Sequence, residues 1–327
     1  MIDAARYDVL AIGETMLRLT PDGPERLSRA RRWQTWVAGS ESNVAATLAA
    51  LGVAASWVGR LPDNALGRRI AAELAEAGID VSNIVWAEEA ERVGTFYFEP
   101  AAAPRAPLTL YDRAHSASSR LSPADLTDEL FSRCRHVHLS GITPALSQNC
   151  ADACAHAVRA ARASGATVSL DINYRAKLWP AGRAASSLAA LADGVDLLIC
   201  SQSDARRLFC LETADPRRAA AALRAQFDTR QAVVTCGADG AAAAGEGGET
   251  SAVPAFAVQS DIGRLGSGDA FAGGYLAACL QGEPLRECLA LGAACAALKR
   301  TIAGDMLIAT RAEILAVLAA ETDAGWR

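Results

Sequence analysis

Residues 136 to 171 read HVHLSGITPALSQNCADACAHAVRAARASGATVSLD. The stretch opens on a short β-rich run, His136–Ser140, that stops at a glycine. It closes on a second such run, Thr167–Asp171, and residues 148–164 between them have the length and alanine content of one helix. Strand, helix and strand in that order predict a right-handed βαβ unit, whose strands are parallel. The same rhythm continues downstream, with strands expected at Asp196–Cys200 and Ala232–Thr235 and helices at 184–192, 203–209 and 216–226. Upstream, Tyr7–Ile12 and Ala54–Gly59 read as strands, and Glu41–Leu51 and Ala65–Ala77 as helices. Strands separated by helices predict a doubly wound α/β sheet covered on both faces. The Gly- and Ala-rich region 240–256 reads as a hairpin on its antiparallel edge, followed by helices at 268–281, 284–299 and 311–320.

Four segments fall outside this rhythm. Met16–Thr20, Arg32–Val37, Gly94–Glu99 and Leu108–Tyr111 alternate apolar and polar residues, as strands with one wet face do. They predict a small accessory sheet, inserted at about 14–37 and 92–113 into one domain spanning 1–327.

Of the 327 residues, 51% are hydrophobic and only 6% aromatic, which suits helices packed closely on a sheet and argues against disorder. The net charge is −5 and no Lys/Arg block occurs, so neither nucleic acid nor an anionic membrane is an expected partner. The nine cysteines include no Cys-x-x-Cys pair and sit mostly in apolar runs, as small core residues do in a reducing compartment. The start, MIDAARYDVLAIGE, has no basic region followed by a signal-length apolar run. No uncharged apolar run approaches the ~18 residues of a membrane span. A cytoplasmic location is expected.

In open parallel sheets, ligands bind beyond the carboxyl ends of the strands. Ser140-Gly141, Asp171-Ile172-Asn173, Ser201 and Thr235-Cys236-Gly237 fall there and should line one crevice. The strongest local signal is Gly266-Ser267-Gly268-Asp269 running into an alanine-rich helix. Glycines let the backbone turn tightly, and free N–H groups at a helix start bind anions. Asp269 at that turn can take a proton from a hydroxyl under attack on phosphate. Taken alone, four such residues fit a helix-capping turn equally well. His136 and His138 share a strand face, and Cys150 and Cys154 a helical turn; core packing is the expected role of both pairs.

Gly266-Ser267-Gly268-Asp269 resembles the C-terminal signature of the ribokinase-like (PfkB) carbohydrate kinases, and Ala38-Gly39-Ser40-Glu41-Ser42-Asn43 their N-terminal one. Similarity runs from about residue 8 to 310 and implies a doubly wound αβα domain with a small β lid. Within the family the chain is most similar to 2-keto-3-deoxygluconate kinases. The segments that carry this are Tyr111-Asp112-Arg113, His138–Ser147, Asp171–Arg175 and Ala297-Leu298-Lys299 with Gly304-Asp305.

The resemblance implies ATP-dependent phosphorylation of the terminal hydroxyl of 2-dehydro-3-deoxy-D-gluconate, with Mg²⁺ bridging ATP oxygens. Asp269 would be the base and the backbone N–H groups of Gly266, Ser267 and Gly268 an anion hole. Gly39 and Asn43 would meet sugar hydroxyls, and Tyr97, Tyr111, Arg113 and Arg175 the keto-acid end. Guanidinium groups suit a carboxylate because they bind it through paired hydrogen bonds. Tyr97 also suits the core of a lid, and Arg175 alone would read as a surface residue. Thr235, Gly237 and Gly240 resemble the strand–turn that meets ATP phosphates, although Gly240 also suits the hairpin that follows. Ser201-Gln202-Ser203-Asp204 replaces the family's Asn-x-x-Glu, which leaves Ser201 near ATP and Asp204 as a residue that could reach Mg²⁺ through water. Gly263 stands where many members carry the Asp of a monovalent-cation loop, so potassium is not expected as a cofactor. Exposed lid strands predict a homodimer or larger homo-oligomer. A kinase for a neutral sugar such as fructose, or a non-catalytic sugar-binding regulator on the same fold, are the alternatives.

Overall fold

The computed structural model describes residues 7–101 and 104–325. In chain order the strands are β1 (Tyr7–Ile12), β2 (Met16–Pro21), β3 (Trp33–Ala38), β4 (Ala55–Val58), β5 (Arg60–Pro62), β6 (Val85–Ala87) and β7 (Thr95–Glu99). They continue as β8 (Leu108–Asp112), β9 (Cys134–Ser140), β10 (Thr167–Asp171), β11 (Leu197–Ser201), β12 (Gln231–Thr235), β13 (Ala241–Ala244) and β14 (Thr250–Val253). The helices are α1 (Ser40–Ala50), α2 (Ala65–Glu76), α3 (Asp128–Ser132), α4 (Gln148–Ala163) and α5 (Ala181–Ala192). After them come α6 (Gln202–Phe209), α7 (Pro216–Phe227), α8 (Ser267–Leu280), α9 (Leu285–Arg300) and α10 (Arg311–Gly325).

Eight strands form the main sheet in the order β14-β13-β12-β11-β10-β9-β1-β4. Neighbours from β12 through β4 pair in parallel, and β13 and β14 complete the sheet as the antiparallel edge the sequence predicts. Side chains alternate between two cores. Val9 and Ala11 face one core together with α1, α2, α8 and α9, whereas Leu10 and Ile12 face the other with α4 to α7. Two wrapped faces explain why the parallel strands read as nearly continuous apolar runs.

The four alternating segments pair into one separate sheet of order β3-β2-β7-β8. Its register puts Arg18, Trp36, Phe96 and Tyr111 on one face, and Leu19, Thr35, Tyr97 and Leu110 on the other. The three-residue strands β5 and β6, which pair with each other, and the single-turn α3 carry too short a pattern for the sequence to signal.

The polar groups at the strand ends lie side by side, Asp171 opposite Ser140 and Ser201 opposite Thr235, but they do not line one crevice. Thr235 and Gly237 face a hollow, whereas Ser140, Gly141, Asp171, Asn173 and Ser201 border neither of the two hollows at the start of α8. Glu41 is buried in the first turn of α1 and accepts hydrogen bonds from Ser140 Oγ and Thr143 Oγ1, each at 2.7 Å. Burial pushes its carboxyl upward, and these two hydroxyls oppose that shift. The start of α1 is thereby fixed to the end of β9. His136 and His138 are buried and share Ser169 Oγ, at 2.7 and 2.8 Å, while His136 Nδ1 meets Thr167 Oγ1 at 2.7 Å. Cys150 and Cys154 are buried core thiols. Both pairs pack as the sequence predicts.

Candidate active site

The start of α8 divides two hollows. The larger, about 360 Å³, is lined by Thr235, Gly237, Gly240, Ser267, Gly268 and Phe256 among others. The smaller, about 140 Å³, is lined by Gly39, Asn43, Tyr111, Arg113, Arg175 and Asp269, with Gly266 and Asp305. Gly266 caps α8 at φ 79°, a left-handed conformation that favours glycine. The backbone of Asp305 lies so close that any Cβ there would collide with its carbonyl. One turn therefore presents its amides to one hollow and Asp269 to the other. Ser267 N–H is already directed at the Arg264 carbonyl, at 3.3 Å. The first-turn amides that follow it have no acceptor within the helix.

Asp269 is held from two sides. Ser40 Oγ donates to Oδ1 at 2.8 Å, and Asn43 Nδ2 donates to Oδ2 at 2.7 Å. Behind Ser40 stands Asn173, which donates from Nδ2 to Ser40 Oγ at 2.8 Å and sits at the unusual φ of 37°. Burial raises the Asp269 pKa, while the bonds from Asn43 and Ser40 and the charge of Arg175 oppose the rise. A carboxylate so arranged is oriented yet more basic than one in water, which suits it to accept a proton. Asn43 keeps Oδ1 buried and without a protein partner, free to accept from a hydroxyl in the hollow.

The two arginines differ. Arg113 is buried and forms an ion pair with Glu14, which also accepts from Ser116 Oγ at 3.0 Å. Its Nε remains buried without a partner. Arg175 is exposed at the rim of the same hollow, beside Asp171, Asp204 and Asp269, whose pKa values burial raises and its charge partly holds down. Asp305 lies opposite and is paired with Arg18 at 3.1 Å. Burial outweighs that pair, pushing Asp305 up to about 6.

Other candidates lie elsewhere. Tyr97 is not brought to the hollow. It follows Phe96, which lines it, and a one-residue step along a strand reverses the face. Tyr97 instead packs edge-on against Trp33, with centroids 5.9 Å apart. Ser201 lines neither hollow; its Oγ caps α6 by accepting from Asp204 N–H at 3.0 Å. Among the described residues no cluster of three or more His, Cys, Asp or Glu could hold a metal ion by itself. Sequence reasoning did not single out Ser40, Glu14 or Asn173 for roles of their own. Their partners lie 229, 99 and 133 residues away in sequence, so no local pattern connects them.

Asp171 is buried with its pKa raised to about 8, first by burial and next by the charge of Asp269. A carboxyl raised this way penalises the folded state increasingly as pH climbs from its ordinary value near 4 to about 8, and by a constant amount above that. Asp171→Asn should remove a penalty on the order of a few kcal/mol at pH 9 and almost none at pH 4. Denaturant midpoints of variant and parent at the two pH values measure it. An equal difference at both would mean that Asp171 ionises normally in the fold.

The PfkB family carbohydrate kinase profile matches residues 6–310. A 2-dehydro-3-deoxygalactonokinase from Haloferax volcanii is 38% identical over 311 residues, covering 95% of this chain and 96% of that one. A 2-dehydro-3-deoxygluconokinase from Thermoproteus tenax is 33% identical, covering 92% and 90%. The crystal structure of a 2-dehydro-3-deoxygluconokinase from Thermotoga maritima superposes with a TM-score of 0.86 at 29% identity, covering 96% of this chain and 99% of that one. With its ribokinase-like architecture and its two hollows meeting at one helix start, the chain belongs to the PfkB family of carbohydrate kinases.

Proposed function

We propose that the protein transfers the γ-phosphoryl group of ATP to the terminal hydroxyl of a 2-dehydro-3-deoxy sugar acid. The observation that carries this reading is the pair of hollows meeting at the α8 turn, with two guanidinium groups in the smaller one. ATP would occupy the larger hollow, its phosphates against Thr235, Gly237, Gly240 and the α8 amides. The sugar acid would fill the smaller, with its carboxylate toward Arg175 and Arg113 and its hydroxyls toward Gly39 and Asn43.

The hydroxyl oxygen attacks the γ-phosphorus in line. As the new O–P bond forms and the bond to the β-phosphate oxygen breaks, Asp269 takes the hydroxyl proton and ADP leaves. The α8 amides stabilise charge on the transferring group. Mg²⁺, when bound with ATP, neutralises phosphate charge. Asp204, in the first turn of α6, is the carboxylate proposed to reach it, through water. The accessory sheet would act as a lid on the main domain, closing over the sugar and excluding water from the transfer.

Both 2-dehydro-3-deoxy-D-gluconate and its galactonate epimer are proposed substrates, the second because of the 38% identical relative named for it. A neutral-sugar kinase would leave the buried Arg113–Glu14 pair and Arg175 without a task. Purified enzyme should consume ATP with one or both epimers far faster than with fructose. Preference for fructose would defeat the sugar-acid assignment.

Pairing of two copies through the accessory sheet is proposed too. Trp33, Leu108 and Leu110 are 38%, 41% and 49% exposed, and Leu110 shares the outer face with Leu19 and Tyr97. Sedimentation as a monomer at micromolar concentration would refute pairing.

A further inference from the structure

Lys299 lies near the end of α9, where a lysine normally reaches water, yet it is fully buried. Its Nζ donates to the carbonyl oxygens of Gly263 and Ile302, each at 3.0 Å. Both acceptors are neutral. A buried ammonium loses most of its hydration, and neutral carbonyls return only part of that. Burial accordingly pulls its pKa down to about 8, opposed by the charges of Asp305, Asp261 and Asp269 and reinforced by Arg18.

The two segments it joins suggest a reason for keeping so costly a group. Gly263 belongs to the run that enters the Gly266 turn, and Ile302 to the run that reaches Asp305. The Asp305 carbonyl is packed against Gly266, so the two runs meet at the start of α8. Carbonyl dipoles from two loops converge on one positive centre, the arrangement by which backbone oxygens hold a monovalent cation. We propose that Lys299 is a tethered cation that holds the Gly266–Gly268 turn in its phosphate-binding shape, so that no free monovalent ion is needed there. This rests on the phosphoryl-transfer reading above, and it makes Lys299 a positioning residue because it touches neither hollow.

Lys299→Met, similar in length and uncharged, should lower kcat about 10²-fold, the usual effect of misplacing a reacting group by ~1 Å. The KM for the sugar acid should stay close to its unmodified value. Lys299→Ala leaves the two carbonyls facing an ammonium-sized space. Ammonium or potassium chloride, compared with tetramethylammonium chloride at equal ionic strength, should then raise the thermal midpoint of the ligand-free variant and saturably restore part of kcat. The unmodified enzyme should show neither response. Full turnover by Lys299→Met, no thermal response in Lys299→Ala, or several-fold saturable activation of the unmodified enzyme by potassium would each overturn the proposal. The thermal measurement needs no turnover. An enzyme inactive on every sugar acid would therefore defeat the functional reading while the tethered cation is judged on melting alone.

Discussion

Asp269→Asn is expected to lower kcat by roughly 10²–10⁴, the range for removing a positioned base. The fold should survive because the amide is nearly isosteric and its surroundings can adapt. Asn43 now donates to Oδ2 while its own Oδ1 has no protein partner, so a flip of the Asn43 amide supplies an acceptor for the new NH₂. Ser40 Oγ can keep donating to Oδ1. The amides at the start of α8 belong to the backbone and stay where they are, so affinity for ATP should change little. Turnover at fixed saturating ATP and sugar acid, beside ATP affinity by calorimetry, separates the two effects. Near-normal turnover in the variant would remove Asp269 from proton transfer.

Arg175→Ala should cost a sugar-acid substrate about 1.5–3 kcal/mol, or roughly 10–150-fold in kcat/KM, while a neutral analogue loses much less. Arg113 cannot fully replace it, because Glu14 already engages its guanidinium. Losing Arg175 also withdraws a charge that lowers the Asp269 pKa, so the acid limb of the pH–rate profile should move upward. That second readout matters because a merely structural arginine would reduce both substrates equally and leave the profile in place. Equal losses with an unmoved profile would show that Arg175 does not read the carboxylate.

The fold was largely legible in the sequence, for reasons visible in particular elements. Tyr7–Ile12 and Thr167–Asp171 are strands with the predicted boundaries, because each is a short apolar run closed by a glycine or a polar turn. The accessory strands betrayed themselves by alternation in sequence, which in β8 matches alternating exposed and half-buried residues, although β2 is buried on both faces. What the sequence hid was contact across long separations. Gly266-Ser267-Gly268-Asp269 could be picked out because its parts are adjacent. The partners of Asp269, Ser40 and Asn43, lie 229 and 226 residues away, and Asn43 alone was flagged, for a hydroxyl of the sugar. Tyr97 was assigned to the keto-acid end by family likeness, but strand alternation sends it to the outer face. Lys299 gave no local sign of burial, since a lysine beside an arginine at the end of an alanine-rich helix has the look of a solvated cap.

The small residues that suit closely packed helices have a further effect where α8 meets α9. A Cβ on Gly274 would come within 2.8 Å of the Leu291 carbonyl and the Cys295 sulfur, and one on Gly292 within 2.9 Å of the Phe271 carbonyl. At this seam the two backbones nearly touch, and close-packed interiors have no slack to absorb an added methyl group. The first of these helices carries the turn proposed to bind phosphate and the other carries Lys299, so neither can slide without displacing both. The seam is thus a fixed anvil against which the proposed lid would close. A single methyl group placed on it, far from any ligand, becomes an injury to the chemistry itself.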